Sequence, residues 1–157
     1  MTKFLVCGLN NENYTQANYK FCNTFDEAKQ ECVNLIMGEY NFKTQKEAIK
    51  NMNLEKLEGK VYKYNYSDGD NFCVNFIIGV EVNEGDYLLV WHHAYNGVDF
   101  HVEKIGTEME CINSKAISSN AVYNKNGVDI DIYNLQTVVD TGEEWEIWDV
   151  IKYNGGE

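Results

Sequence analysis

Apolar and polar residues alternate along most of the chain after Lys60, and this period of two constrains the fold more than any other feature. Successive side chains of a strand point to opposite faces, so this pattern is typical of half-buried strands. The chain has no proline, so its turns depend on Gly, Asn and Asp. The alternation predicts strands at KVYKYNY, FCVNFIIGVEV, YLLVWHH and VDFHVEKI, and it favours a strand over a short helix for residues 143–153.

The first sixty residues carry a different pattern, in which two strands precede two helices. Residues 3–9 are an apolar run, and a second strand is expected around YTQANYKFC. Thr24 with Glu27, and Thr44 with Glu47, have the spacing of capping boxes and predict two helix starts. The first helix is expected over 25–38, with Phe25, Ala28, Cys32, Leu35 and Ile36 on its apolar face. The second is shorter and is expected to turn three residues inward: Ala48, Ile49 and Met52.

These patterns predict an α+β fold, in which an N-terminal β-hairpin and two helices pack on a mainly antiparallel β-meander. A length of 157 residues fits one domain with a sizeable core. We therefore expect a single domain over 1–157, with a neutral ββαα part at 1–58 and an acidic antiparallel β part at 59–157.

All three histidines lie between His92 and His101, on either side of an Asn96-Gly97 pair. Asn-Gly between alternating apolar residues predicts a hairpin with a two-residue turn. That turn would place His92 directly opposite His101 on one face. The other face would then be a core face made of Trp91, His93, Tyr95, Val98, Phe100 and Val102. A similar hairpin is expected around Asn126-Gly127, and shared turn chemistry accounts for the resemblance.

The expected His92–His101 pair supports two interpretations. With Asp99 and Glu103 beside it, the pair could bind a divalent metal or carry out acid–base chemistry. Only two nitrogen ligands converge, however, and a solvent-facing mixture of His, Asp and Glu is ordinary on a hairpin, so the structural interpretation is favoured.

Asp129 and Asp131 project from one face of a predicted strand and present a similar choice. Paired carboxylates can perform acid–base chemistry or bind a metal. The favoured interpretation is structural: the two carboxylates lie on a strand edge and keep it from pairing with other chains.

The net charge of −12 is unevenly distributed along the chain. Residues 1–60 contain eight acidic side chains and eight lysines, whereas residues 61–157 contain seventeen acidic side chains and five lysines. There is no arginine, the residue best suited to grip phosphates bidentately. An acidic field of this kind repels nucleic acid and anionic membranes and attracts basic partners.

Other classes are excluded by what the sequence lacks. It contains no apolar run of membrane-spanning length, no nucleotide-binding loop and no nucleophile elbow. Its five cysteines are odd in number and have no Cys-x-x-Cys spacing, so we expect them to be reduced and mostly buried. We expect a cytoplasmic protein without a cofactor.

The favoured hypothesis is a non-enzymatic module that docks a carboxylate-rich sheet onto the basic surface of another protein. Carboxylates spaced along strands can imitate a run of phosphates. The expected role is therefore inhibition of a nucleic-acid-handling protein, as a phage anti-defence (anti-CRISPR-like) factor or a nuclease-immunity protein would do. The residues expected to bind the partner are Asp99, His101, Glu103, Asp129, Asp131, Glu143, Glu144 and Glu146. The alternative is a small metal-dependent enzyme or ligand-binding protein that uses His92 and His101 with Asp99 or Glu103.

Overall fold

The computed structural model describes residues 1–10, 16–39, 43–57, 61–68, 71–94, 98–123, 129–140 and 144–155. It confirms the α+β class, with three helices and two antiparallel sheets in these ranges. Contacts divide the chain into two compact units, which we call unit 1 (Met1–Glu81) and unit 2 (Val82–Gly156). Folding as a single domain stays a prediction.

Unit 1 contains five strands and two helices in the described ranges. The strands are β1 (Thr2–Asn10), β2 (Asn18–Cys22), β3 (Asn53–Leu57), β4 (Val61–Asp68) and β5 (Asn71–Glu81), and the helices are α1 (Phe25–Glu39) and α2 (Gln45–Asn51). The sheet order is β2-β1-β5-β4-β3, and every neighbouring pair is antiparallel. The sequence patterns predicted all of these elements except β3.

Both helices of unit 1 begin at the predicted caps. Thr24 Oγ1 accepts a hydrogen bond from the Glu27 amide (3.1 Å), and Thr44 Oγ1 accepts one from the Glu47 amide (3.2 Å). The predicted apolar face of α1 is confirmed: Ala28, Cys32 and Ile36 are buried, and Phe25 and Leu35 are partly buried against the core of unit 1. One expectation for α2 is wrong, because Ile49 is 45% exposed and does not point inward.

Unit 2 contains five strands and one helix in the described ranges. They are β6 (Tyr87–Ala94), β7 (Val98–Gly106), α3 (Glu108–Tyr123), β8 (Asp129–Ile132), β9 (Gln136–Asp140) and β10 (Trp145–Lys152). The antiparallel sheet has the order β7-β6-β10-β9-β8. Strand β10 confirms the strand expected near residues 143–153. A turn precedes β6, with Gly85 at a φ of 92° in the left-handed region.

The two units share one strand topology. When the strands are numbered within each unit, both sheets have the order 2-1-5-4-3, and a helix connects the second strand to the third. Within the described ranges, unit 1 differs by its additional helix α2. The sequence patterns did not predict this repeat, since they related only the two Asn-Gly segments.

Helix α3 corrects the prediction made for the second Asn-Gly segment. The residues expected to form the first strand of a hairpin, Ala121–Tyr123, lie in this helix. Asn126 and Gly127 are outside the described residues. The second strand of that hairpin is confirmed as β8.

All five cysteines are buried and free, as expected. No helix in the described part of the chain is both long enough and apolar enough to cross a membrane.

Candidate functional site

The hairpin of β6 and β7 has a different register from the predicted one. Ala94 pairs with Val98, and His92 pairs with Phe100 rather than with His101. Three residues, 95–97, separate the two strands, so the two-residue turn is excluded by the described register even though Asn96 and Gly97 lie outside the described residues. A shift of one residue moves every side chain to the opposite face. The expected pair of facing histidines, His92 and His101, therefore does not exist.

The corrected register gathers a different set of side chains on one face of unit 2. Trp91 pairs with His101, and His93 pairs with Asp99 on β7 and with Glu146 on β10. Directly paired residues of antiparallel strands share a face. We call this set the Trp91 patch; its members are Trp91, His93, Asp99, His101, Glu103, Glu144 and Glu146.

Three aromatic rings form the centre of the Trp91 patch. The ring of His93 stacks on Trp91 with a centroid distance of 5.5 Å and an interplanar angle of 13°. The ring of His101 lies 4.5 Å from the Trp91 centroid at a tilt of 36°. Offset contacts of this kind stabilise aromatic pairs and hold their rings in place. Trp91 packs against the core of unit 2, as expected, but is itself only partly buried, and His93, also expected in the core, is partly buried as well.

Each of these two imidazoles contacts a carboxylate of the patch. His93 Nε2 lies 3.3 Å from Glu144 Oε2, and His101 Nε2 lies 3.0 Å from Glu103 Oε1. The side chain of His101 is 48% exposed, whereas that of Glu103 is 20% exposed. The carboxylates are therefore held at defined positions beside the rings, on a face that solvent reaches.

The other predicted partner-binding residues lie elsewhere. Asp131 is exposed on β8 and pairs with Val138, which pairs with Ile147. Ile147 follows Glu146 in β10, so Asp131 and Glu146 lie on opposite faces of the sheet. Asp129 belongs to the same strand and pairs with Asp140, but its side chain is outside the described part. Glu143 is also outside the described residues. The structure thus brings together His101 and four of the predicted carboxylates: Asp99, Glu103, Glu144 and Glu146.

His92 belongs to a buried polar group on the opposite face of the sheet. It is 1% exposed, and its Nε2 lies 3.5 Å from Asp149 Oδ2. The side-chain amide of Gln136 donates to Asp149 Oδ1 at 2.8 Å. The sequence patterns missed this group, because the register they predicted placed His92 on the solvent-facing side of the hairpin.

A buried lysine on α3 is a second feature that the sequence patterns missed. Lys115 is 3% exposed, and its Nζ donates to Tyr133 O and to Thr137 Oγ1, each at 2.8 Å. Burial lowers the pKa of this amine below the usual lysine range, since desolvation disfavours the charged form. Lys115 thus ties the helix to the turn between β8 and β9.

Across the described ranges, no three His, Cys, Asp or Glu side chains come close enough together to hold a metal ion. An open polar groove of about 340 Å³ lies between β2 and α1, where Lys20 and Glu31 form an ion pair at 3.3 Å.

Comparison with known protein families, curated proteins and solved structures finds no match for this chain.

Proposed function

We propose that this protein is a non-enzymatic binding module that docks the Trp91 patch onto a basic surface of another protein. The observation that carries the proposal is the convergence of four carboxylates around three aromatic rings on one face, two of them partly buried and the third exposed. Interfaces are enriched in aromatic residues, and complementary charge gives them specificity and fast association.

The charge of unit 2 supports this role. Residues 82–156 contain thirteen acidic side chains and four lysines, whereas residues 1–81 contain eleven and nine. Three lysines of unit 2 have contacts away from the patch: Lys104 is 3.8 Å from Glu110, Lys152 lies over the Tyr87 ring, and Lys115 is buried. The fourth, Lys125, is outside the described residues. The contacts of these three lysines are thus made with groups other than the carboxylates of the patch.

The partner class follows from the same charge. Nucleic-acid-binding proteins carry clustered Lys and Arg side chains that recognise rows of phosphates. A face with fixed carboxylates and no arginine of its own is complementary to such a surface and repels nucleic acid itself. We therefore favour an inhibitor of a nucleic-acid-handling protein, of the anti-defence or nuclease-immunity kind.

The metal-dependent alternative loses its geometric basis. It requires His92 and His101 on one face, whereas His92 is buried on the face opposite the Trp91 patch. The register that creates the patch is the same register that separates these two imidazoles.

Affinity capture from a lysate of the native host tests the proposal, with the protein immobilised and duplex DNA as the competitor. We expect the captured proteins to be nucleic-acid-binding proteins that the DNA displaces. Capture should also weaken as salt rises from about 50 mM to about 500 mM, because salt screens exposed charges. A partner that resists both salt and DNA would contradict docking onto a nucleic-acid-binding surface.

A further inference from the structure

The rings of the Trp91 patch point to the kind of cation that it accepts. We infer that the patch binds an arginine side chain of the partner in preference to a lysine. This inference rests on the proposed function and specifies the chemistry of the group that enters the site.

The aromatic part of the site offers a stacking surface. Trp91 and His93 are nearly parallel, with 13° between their planes, and the His101 ring lies 4.5 Å from the Trp91 centroid. A guanidinium is planar and weakly hydrated, so it stacks on aromatic rings more readily than an ammonium does. An ammonium would gain the charge attraction without the stacking contact.

The carboxylates complete the site with an acceptor beside each of the two imidazoles. Glu144 contacts His93, and Glu103 contacts His101 through Oε1 only. Glu103 Oε2 is buried and has no hydrogen-bond partner among the described residues. A buried acceptor without a donor is costly, so a donor supplied by the partner would be stabilising. The terminal torsion of a glutamate is soft, and a small rotation turns this oxygen toward an incoming N–H group.

An arginine fits these acceptors better than a lysine does. Its five N–H donors lie in one plane and can reach two carboxylates while the flat face of the group contacts a ring. The chain contains no arginine, so no internal side chain of this type competes for the site.

The test uses two matched peptides, octaarginine and octalysine, which carry the same charge. Their dissociation constants for the full-length protein are measured by calorimetry at equal salt. We expect octaarginine to bind at least about fivefold more tightly, the size of one cation–π contact. Its addition should also shift the indole N–H resonance of Trp91, which is assigned through its loss in Trp91→Phe.

Three variants locate the preference. Glu103→Gln and Trp91→Phe should each bring octaarginine close to the affinity of octalysine. Trp145→Phe makes the same chemical change on the other face of the sheet and should leave the ratio intact. Circular dichroism and amide spectra confirm that each variant is folded.

The outcomes separate this inference from the proposed function. Equal affinity for the two peptides, lost when the patch carboxylates are neutralised, would overturn the arginine preference and leave electrostatic docking in place. An arginine preference that survives both Glu103→Gln and Trp91→Phe would place the stacking site elsewhere and also overturn the inference. If neither peptide binds at low salt, both the inference and the docking role fail.

Discussion

Helix α1 of unit 1 and helix α3 of unit 2 occupy the same place in the same strand topology, yet their inward faces differ in chemistry. Both begin after a capping threonine, Thr24 in one unit and Thr107 in the other. Counted from these caps, the same three positions are buried in both helices. They are Ala28, Cys32 and Ile36 in α1, and Cys111, Lys115 and Ser119 in α3.

The difference between the two inward faces shows that this strand topology does not require a continuous row of apolar residues on the helix that packs on the sheet. In α1, Cys32 lies among apolar side chains, and burial raises the pKa of its thiol well above the usual range. In α3, Lys115 has two oxygen acceptors, and Ser119 Oγ donates to Lys115 O at 2.6 Å. A buried polar residue is tolerated where its hydrogen bonds are made. Unit 2 thus keeps the fold while its composition is free to become polar and acidic.

We expect the largest effect from placing a lysine at the position of α1 that corresponds to Lys115 in α3. Cys32→Lys would put an ammonium where the helix packs on an apolar cluster that contains Val6 and Ile77. We expect the free energy of unfolding to fall by about 4 kcal/mol or more, because a buried charge without a partner is strongly destabilising. Urea denaturation measures the loss. Cys32→Met has similar length without charge and should cost less, about 1–3 kcal/mol from overpacking. Equal losses for Cys32→Lys and Cys32→Met would show that the size of the new side chain, rather than its charge, determines the destabilisation.

The reciprocal change removes the lysine of unit 2. Lys115→Ala should lower the free energy of unfolding by about 3 kcal/mol, since it leaves a cavity and two unpaired acceptors. Lys115→Met fills the space and should cost about 1 kcal/mol. Thermal and urea unfolding measure both variants. A Lys115→Met protein more stable than the wild type would contradict a structural role for the two hydrogen bonds.

The helix caps are a feature that the two units share, so we expect the same change at each cap to have the same effect. Thr24→Ala and Thr107→Ala each remove one side-chain acceptor for an N-terminal amide. We expect each change to cost about 1 kcal/mol. Hydrogen exchange of the amides of Glu27 and Glu110 should report the loss within the affected unit. Losses that differ more than about twofold would show that the caps are not equivalent.

The smallest effect is the pH dependence that Lys115 introduces. Its pKa is lower in the folded protein than in the unfolded chain, so the unfolded state holds more protons between the two values. The stability of the wild type relative to Lys115→Met should therefore rise as pH increases toward the ordinary lysine range. Urea midpoints of the two proteins at several alkaline pH values measure this difference. A relative stability that falls with pH would mean that the charged amine is favoured by folding.

The contrast between α1 and α3 also explains what the sequence could predict. The apolar spacing of Ala28, Cys32 and Ile36 identified α1, whereas the polar stripe of α3 concealed a helix of sixteen residues. One feature could have revealed it, since Thr107 and Glu110 have the same capping spacing as Thr24 and Glu27. A helix start is a local property, but the tolerance for a buried lysine depends on acceptors such as Thr137 that are distant in sequence.

Only part of the candidate site could be predicted from the sequence, because strand pairing, like the burial of Lys115, depends on residues that are distant in sequence. Residue types and charge identified four of its carboxylates and His101, but alternation leaves the register of a hairpin uncertain by one residue. The three-residue connection between Ala94 and Val98 exchanged the two faces. As a result, the candidate site contains Trp91 and His93, which were expected in the core, and does not contain His92. Strand pairing decides which histidines face solvent, and composition does not contain that information.

The central claim is that the arrangement of carboxylates in the Trp91 patch, rather than net charge alone, carries binding. It is tested by the affinity of a captured partner for two variants with the same change in charge. One neutralises the patch through Asp99→Asn, Glu103→Gln, Glu144→Gln and Glu146→Gln; the other changes Asp26→Asn, Glu84→Gln, Glu108→Gln and Asp131→Asn. The account predicts a loss of at least about tenfold for the first variant and less than about threefold for the second. Equal losses in the two variants would contradict it.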